Sequence, residues 1–191
     1  DLRYQSGEAL KGLGFTDKEK PQYAFNVTPH IKNEKEKVKK EIPKILGEFD
    51  GEKILPLDSN VSSIYALCVR VPTFYGHGLA MFVDTYHKTS KEEIENLFEE
   101  FNRSCKSEFG GLYSSPQKTV TLMNESGRPQ PLIDSNLDKG MTTLVGELEV
   151  NGDGYRLQYF ALSHNLKKGA AKGAVQTAEF LLRDGYISRR R

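Results

Sequence analysis

The sequence predicts an α+β domain, with a mixed, mainly antiparallel sheet covered by helices. Three observations carry that expectation. Two alternating apolar segments flank "NGDG" (Asn151–Gly154), as in a hairpin. Two longer segments, one from Ser90 and one from Asn165, place apolar residues at helical spacing. Further strand-like runs precede these helices, so the helices fall between and after the strands.

The elements follow in order. Ser6–Leu13 reads as a short helix, Gly14 onward as a loop, and Tyr23–Val27 as a strand ending at Thr28-Pro29. Asn33 with Glu36 has the spacing of a capping box, so a helix is expected from there to about Leu46. Pro43 should kink it or end it early. "GEFDGEK" is a turn region. Ser63–Val71 is the next strong strand, with Leu67, Val69 and Val71 on one side and Cys68 and Arg70 on the other. Pro72 interrupts it, Gly76-His77-Gly78 turns the chain, and Leu79–Tyr86 forms a second strand.

Ser90 is the N-cap expected for the next helix, whose apolar face is Ile94, Leu97, Phe98 and Phe101. A turn-rich stretch follows, with a short strand near Thr119–Met123. Then comes the hairpin, "MTTLVGELEV" and "YRLQYFALS". The last helix should bury Ala171, Ala174, Val175, Ala178 and Leu182 and stop at Gly185. No repeat or Pro/Gly/Ser linker divides the sequence, so a single domain over 1–191 is expected.

With 191 residues, 37% hydrophobic and 28% charged, the chain can bury a real core. Its net charge of +1 gives no general attraction to nucleic acid or to an anionic membrane. No apolar run approaches the ~20 residues of a membrane span, and no signal-peptide pattern opens the sequence. Two cysteines, Cys68 and Cys105, suit a reducing compartment, so a cytoplasmic location is expected.

The chemistry-bearing residues are few. Arg70 at a strand end needs a carboxylate in bidentate, charge-assisted contact, either a structural Glu or that of a substrate. His77, on a loop between two glycines, carries an imidazole that titrates near neutrality and is a natural proton carrier. Cys68 lies inside an apolar strand and reads as core packing, and Cys105 receives no role. "DSNLDKG" (Asp134–Gly140) resembles a calcium loop, but its Gly falls one position late and Val145 stands where a Glu is required. No metal is therefore expected. "GEALKGLG" lacks the glycine spacing of a dinucleotide fingerprint. The residues alone describe a soluble α+β domain with one candidate acid-binding site.

Three blocks, "AFNVTPHI", "CVRVPTFYGHG" and "HNLKKGAAKGAVQTAEFLLRDGYI", resemble the C-terminal domain of aspartate-semialdehyde dehydrogenases in order and spacing. The resemblance implies a glyceraldehyde-3-phosphate dehydrogenase-type C-terminal fold that binds substrate and forms a homodimer. It also implies an NADP-dependent reductive dephosphorylation of β-aspartyl phosphate to aspartate semialdehyde, in amino-acid biosynthesis. Carried over residue by residue, Arg70 would hold the substrate α-carboxylate, and His77 would be the acid/base at the thiohemiacetal stage. Glu34 would contact the substrate amine, Lys37 the phosphate, Gln5 the substrate, and Gln176 would lie near the cofactor.

The pattern is not followed everywhere. Gly78-Leu79 stand where Ser-Glu is usual, Glu147 replaces an Arg, His164 opens what is elsewhere DNL, and Gly173 replaces an Asn. The family's nucleophilic Cys and Rossmann domain have no counterpart in these 191 residues, which begin at Asp1. The expectation is therefore a domain cut from a longer enzyme and inactive alone. The alternative is a non-catalytic paralogue acting as a dimerisation or regulatory module.

Overall fold

The computed structural model describes residues 27–58 and 63–188. The chain divides into two compact units, Asp1–Pro72 and Thr73–Arg191. The expected helix at Ser6–Leu13 and most of the strand at Tyr23–Val27 lie outside the described residues.

In the first unit, helix α1 spans Glu34–Ile45. Its N-cap is Asn33, as expected, but the capping box does not form. Asn33 adopts a left-handed conformation (φ 64°), and its side chain makes no cap bond. Capping requires an extended backbone at that residue to aim the side-chain oxygen at the first-turn amides. Glu34 and Glu36 instead supply negative charge to the first turn. Pro43 does not end the helix early, because it sits in the last turn, where its missing N–H removes a single bond. Its carbonyl accepts the amide of Leu57, 2.9 Å away.

The expected turn "GEFDGEK" is the centre of a small hairpin, β1 (Glu48–Phe49) with β2 (Ile54–Leu55). Asp50 makes the turn by accepting the amides of Glu52 and Lys53, each at 2.9 Å. The expected strand Ser63–Val71 is extended but has no ladder among the described residues. It makes one antiparallel bridge, Thr28 with Arg70. Its alternation is genuine but inverted: Ile64, Ala66 and Cys68 are half-buried, while Leu67 and Val71 are exposed.

The second unit is built on a four-stranded sheet of order β3-β6-β5-β4, with β3 His77–Asp84, β4 Val120–Leu122, β5 Thr143–Val150 and β6 Arg156–Ser163. Both β6 pairings are antiparallel, and β4 runs parallel to β5. The mixed, mainly antiparallel expectation holds. The hairpin turn forms where expected: the Asn151 amide donates to the Arg156 carbonyl, and Asn151 Oδ1 accepts the Arg156 amide. A bulge between Gly146 and Glu149 puts Glu147 at φ 53°, and the Glu147 carboxylate accepts the amide of Gly127. The core is the centre of this hairpin: Leu144, Val145, Leu148, Leu157, Ala161 and Leu162, with Met141 beside them.

Helix α2 (Lys91–Phe109) starts after the expected Ser90 N-cap, and a capping box forms there. Ser90 Oγ accepts the Glu93 amide, and Glu93 accepts the Ser90 amide. Its buried stripe differs from the expected one. Ile94, Phe98, Asn102 and Cys105 face inward, while Leu97 and Phe101 are exposed. The reason is Asn102. Its amide donates to the carbonyl of Val120 and accepts the amide of Val120, both at 2.8 Å. It thereby satisfies both polar groups of an edge strand, which no apolar side chain can do. Phe98 meets Tyr159 of β6 edge-on, with centroids 6.4 Å apart.

A single-turn helix α3 (Pro131–Asp134) and a left-handed turn at Asp138–Gly140 precede β5. The calcium-like segment is thus a set of structural oxygens. Asp134 holds Arg128, Asn136 accepts Lys167, and Asp138 accepts the Gln117 amide. Helix α4 (Lys172–Arg183) begins as a π-helical turn at Lys167–Ala171 and ends at Gly185, whose φ is 77°. The apolar face expected to be buried is instead open, with Val175 and Leu182 both exposed. The opposite face, with Gly173, Gln176, Glu179 and Phe180, packs inward, pinned where Glu179 accepts the amide and hydroxyl of Ser114.

Asn102→Ala is expected to lower unfolding free energy by about 2–4 kcal/mol, since it strips both partners from Val120. Ser90→Ala should cost about 1 kcal/mol. Urea denaturation of the two variants measures the difference. A second expectation concerns His164, which is 3% exposed. Burial, then the charges of Lys167 and Lys172, hold its pKa below the usual 6.5. The folded state therefore binds fewer protons than the unfolded one as pH falls below 6.5, and stability should decline over that window. In His164→Gln that acid-side slope should flatten in denaturation curves recorded across pH, whatever the absolute stability.

Candidate functional site

The residues expected to carry chemistry fall in both units. Gln5 lies outside the described residues. Glu34 and Lys37 share one exposed face of α1, one turn apart, and form an ion pair at 3.8 Å. Arg70 closes the extended segment by exchanging both backbone bonds with Thr28, at 2.8 and 3.0 Å, and its side chain is exposed. Cys68, expected in the core, is half-buried. Neither it nor Cys105 forms a disulfide.

His77 and Gln176 belong to the second unit. The sequence reading placed His77 in a loop; it is the first residue of β3, paired with Ser163 of β6 and exposed. Its position is set by its neighbours. The Gly76 amide donates to Asn165 Oδ1 at 2.9 Å, and Gly76 has φ 91°. A Cβ on Gly76 would stand 2.8 Å from Leu162, and one on Gly78 would stand 2.5 Å from the Phe160 ring. The two glycines thus let the strand lie flat on β6, and His77 between them is held by backbone pairing on a rigid edge.

His164 lies directly behind this turn. Its ring stacks at 5.4 Å on Tyr75, its Nδ1 accepts the Leu166 amide at 3.3 Å, and Gly140 gives the ring room. An acceptor nitrogen in a buried ring suits the neutral imidazole, in line with the lowered pKa. His164 and Asn165 were noted in the sequence only as part of a changed motif. Their spacing carries no signal that they sit behind His77; the β3–β6 pairing puts them there.

Gln176 points inward from α4, and its amide donates to Ser115 Oγ at 3.3 Å. It lines a cavity of about 300 Å³ between α2 and α4 that also contains Cys105 and Lys168. Lys168 is half-buried. Its ammonium donates to Thr143 Oγ1 at 2.7 Å and to the Thr119 carbonyl at 3.3 Å, and burial lowers its pKa. The departure at Gly173 has a local cause: a Cβ there would stand 2.3 Å from the Lys168 carbonyl, which the π-helical turn pushes inward. Among the described residues, no group of three or more His, Cys, Asp or Glu could hold a metal ion, and no helix is long and apolar enough to cross a membrane.

Comparison with known proteins fits this arrangement. The family described as semialdehyde dehydrogenase, dimerisation domain, matches residues 8–168. An aspartate-semialdehyde dehydrogenase of Archaeoglobus fulgidus is 35% identical over 186 residues, covering 97% of this chain and 51% of the relative. One from Methanothermobacter thermautotrophicus is 31% identical over 175 residues, covering 91% and 49%. The chain thus spans about half the length of the curated relatives it matches. Among solved structures, the Candida albicans aspartate semialdehyde dehydrogenase with NADP superposes with a TM-score of 0.74 at 28% identity, covering 85% of this chain and 46% of that one. The Vibrio cholerae enzyme II complexed with ASA gives 0.63 at 25% identity, covering 96% and 50%. With its mixed sheet, its ordered motifs and a match over residues 8–168, the chain belongs to the semialdehyde dehydrogenase dimerisation-domain family.

Proposed function

We propose that this chain is the substrate-binding and dimerisation half of an NADP-dependent aspartate-semialdehyde dehydrogenase. The reaction converts β-aspartyl phosphate, NADPH and a proton into aspartate semialdehyde, phosphate and NADP. The observation that carries the reading is the 35% identity spread over 97% of the chain. It spans both units, with Arg70 and His77 standing in the blocks that the family shares.

In this reading Arg70 grips the substrate α-carboxylate through its planar guanidinium fork. Glu34 accepts from the substrate amine, and Lys37 offers a point charge to the phosphate. Their exposed ion pair costs little to exchange for a ligand. Gln5 adds a further substrate contact. His77 delivers and recovers the proton at the reacting carbonyl oxygen. Its seat at the head of β3 suits that task, since the imidazole is exposed while its backbone is fixed by β6. The nucleophilic cysteine and the main dinucleotide site belong, in this reading, to the remainder of a longer polypeptide.

NADPH, when bound, supplies the hydride. Of the residues present, Gln176, which lines the cavity between α2 and α4 and donates to Ser115, would lie near it. Homodimerisation and a cytoplasmic, biosynthetic role follow from the same assignment.

The second reading, a non-catalytic dimerisation module, is favoured by one observation: an Asn at position 173, usual in the family, would collide with the Lys168 carbonyl. Kinetics separate the two. In the longer polypeptide, or with a separately made nucleotide-binding half added, NADPH-dependent turnover of the semialdehyde couple is expected. His77→Ala should lower kcat by about 10²–10⁴-fold with little change in KM. Arg70→Lys should mainly raise KM for the carboxylate-bearing substrate. An unchanged rate in His77→Ala would remove the proposed acid/base. Absent turnover, with a dimer still seen by sedimentation, would favour the module.

A further inference from the structure

We infer that the cavity between α2 and α4 is a binding site for a small organic anion with a flat apolar body, of which an aromatic monocarboxylate is the simplest kind. The argument begins with charge. Two lysines, Lys106 and Lys168, line the cavity, and no Asp or Glu does. Lys168 is half-buried, and among the described residues no carboxylate pairs with it. Its two acceptors are the neutral oxygens of Thr119 and Thr143. A half-buried ammonium with only neutral partners has no counter-charge beside it and keeps a third N–H to offer.

Shape and polarity complete the argument. Phe109 and Phe180 form one wall, their ring centroids 5.3 Å apart, and Met141, 1% exposed, closes the base. The volume of about 300 Å³ is at the small end of ligand pockets, enough for a single ring with one charged group. Gln176, whose amide nitrogen donates to Ser115 Oγ, lines the same cavity. Burial lowers the Lys168 pKa, and an anion beside it would reverse that shift by restoring a counter-charge.

The site supplies its own reporter, because the Cys105 thiol lines it while Cys68 belongs to the other unit. Alkylation by uncharged iodoacetamide is followed at both cysteines by mass spectrometry, with benzoate as probe and benzamide as its neutral counterpart. Benzoate should slow Cys105 by about tenfold or more at saturation and leave Cys68 unaffected, while benzamide should bind at least about tenfold more weakly. In Lys168→Gln the protection by benzoate should disappear. Should that variant fail to fold, Lys106→Gln is expected to weaken benzoate severalfold, and the benzoate-to-benzamide contrast in the unaltered chain needs no variant.

Equal effects of benzoate and benzamide, no slowing at Cys105, or full protection in folded Lys168→Gln would each overturn the assignment. The measurement uses neither cofactor nor turnover, so its failure would leave the proposed reaction standing.

Discussion

The second unit depends on one buried charge. Asp134 is 0% exposed, and its carboxylate receives Nε of Arg128 at 2.7 Å, a second guanidinium nitrogen, and the amide of Gln130 at 2.5 Å. The Arg128 guanidinium holds its pKa below the usual carboxylate value, with the Gln130 amide acting in the same sense. A carboxylate without such partners could not remain ionised in that position. With them it folds residues 127–135 over β5, close enough that Gly146 has no room for a side chain beneath the Arg128 carbonyl. Pro131 and Ser135 then lie against Gly76, and Gly76 decides where β3 begins. The pose of His77 is thus the last step in a chain that starts from an acid and a base six residues apart.

A half-buried charge behaves differently. Lys168 stands in the π-helical turn, and its ammonium reaches the Thr119 carbonyl and the Thr143 hydroxyl. Asp134 has a full set of charged and polar partners, whereas Lys168 has a hydroxyl and a carbonyl. Folding alone does not require an ammonium at that point, since an apolar residue would avoid the desolvation cost. That contrast separates a structural ion pair from a group held ready for something outside the protein.

Among the described residues the first unit combines local interactions with the Thr28–Arg70 bridge and the Pro43–Leu57 bond. No residue of α1 is buried, and the helix rests on its acidic first turn, a basic last turn and one-turn ion pairing. The β1–β2 hairpin is closed by the Asp50 turn. Glu34 and Lys37, proposed to meet a charged substrate, therefore stand on a solvated face, where exchanging their weak ion pair for a ligand is inexpensive.

Local chemistry was legible in the sequence. The Ser90 N-cap, the Asn151–Gly154 turn and the Gly185 stop rest on neighbours within a few residues, and they appear as read, as does the α+β class. The family was legible too, because its motifs are contiguous. Burial was not. Helical periodicity shows that α2 and α4 have an apolar face, but a polar residue that completes an edge strand outcompetes a leucine for the inner position.

The sequence by itself therefore determined the fold class, the main helices and the central hairpin, and the family they belong to. Tertiary structure alone decided which face of each helix is inside, that His77 heads a strand rather than riding on a loop, and that Lys168, Cys105 and Gln176 share one cavity. The physical reason is that hydrogen bonds within a turn depend on residues close in the chain. Desolvation depends on what arrives from far away.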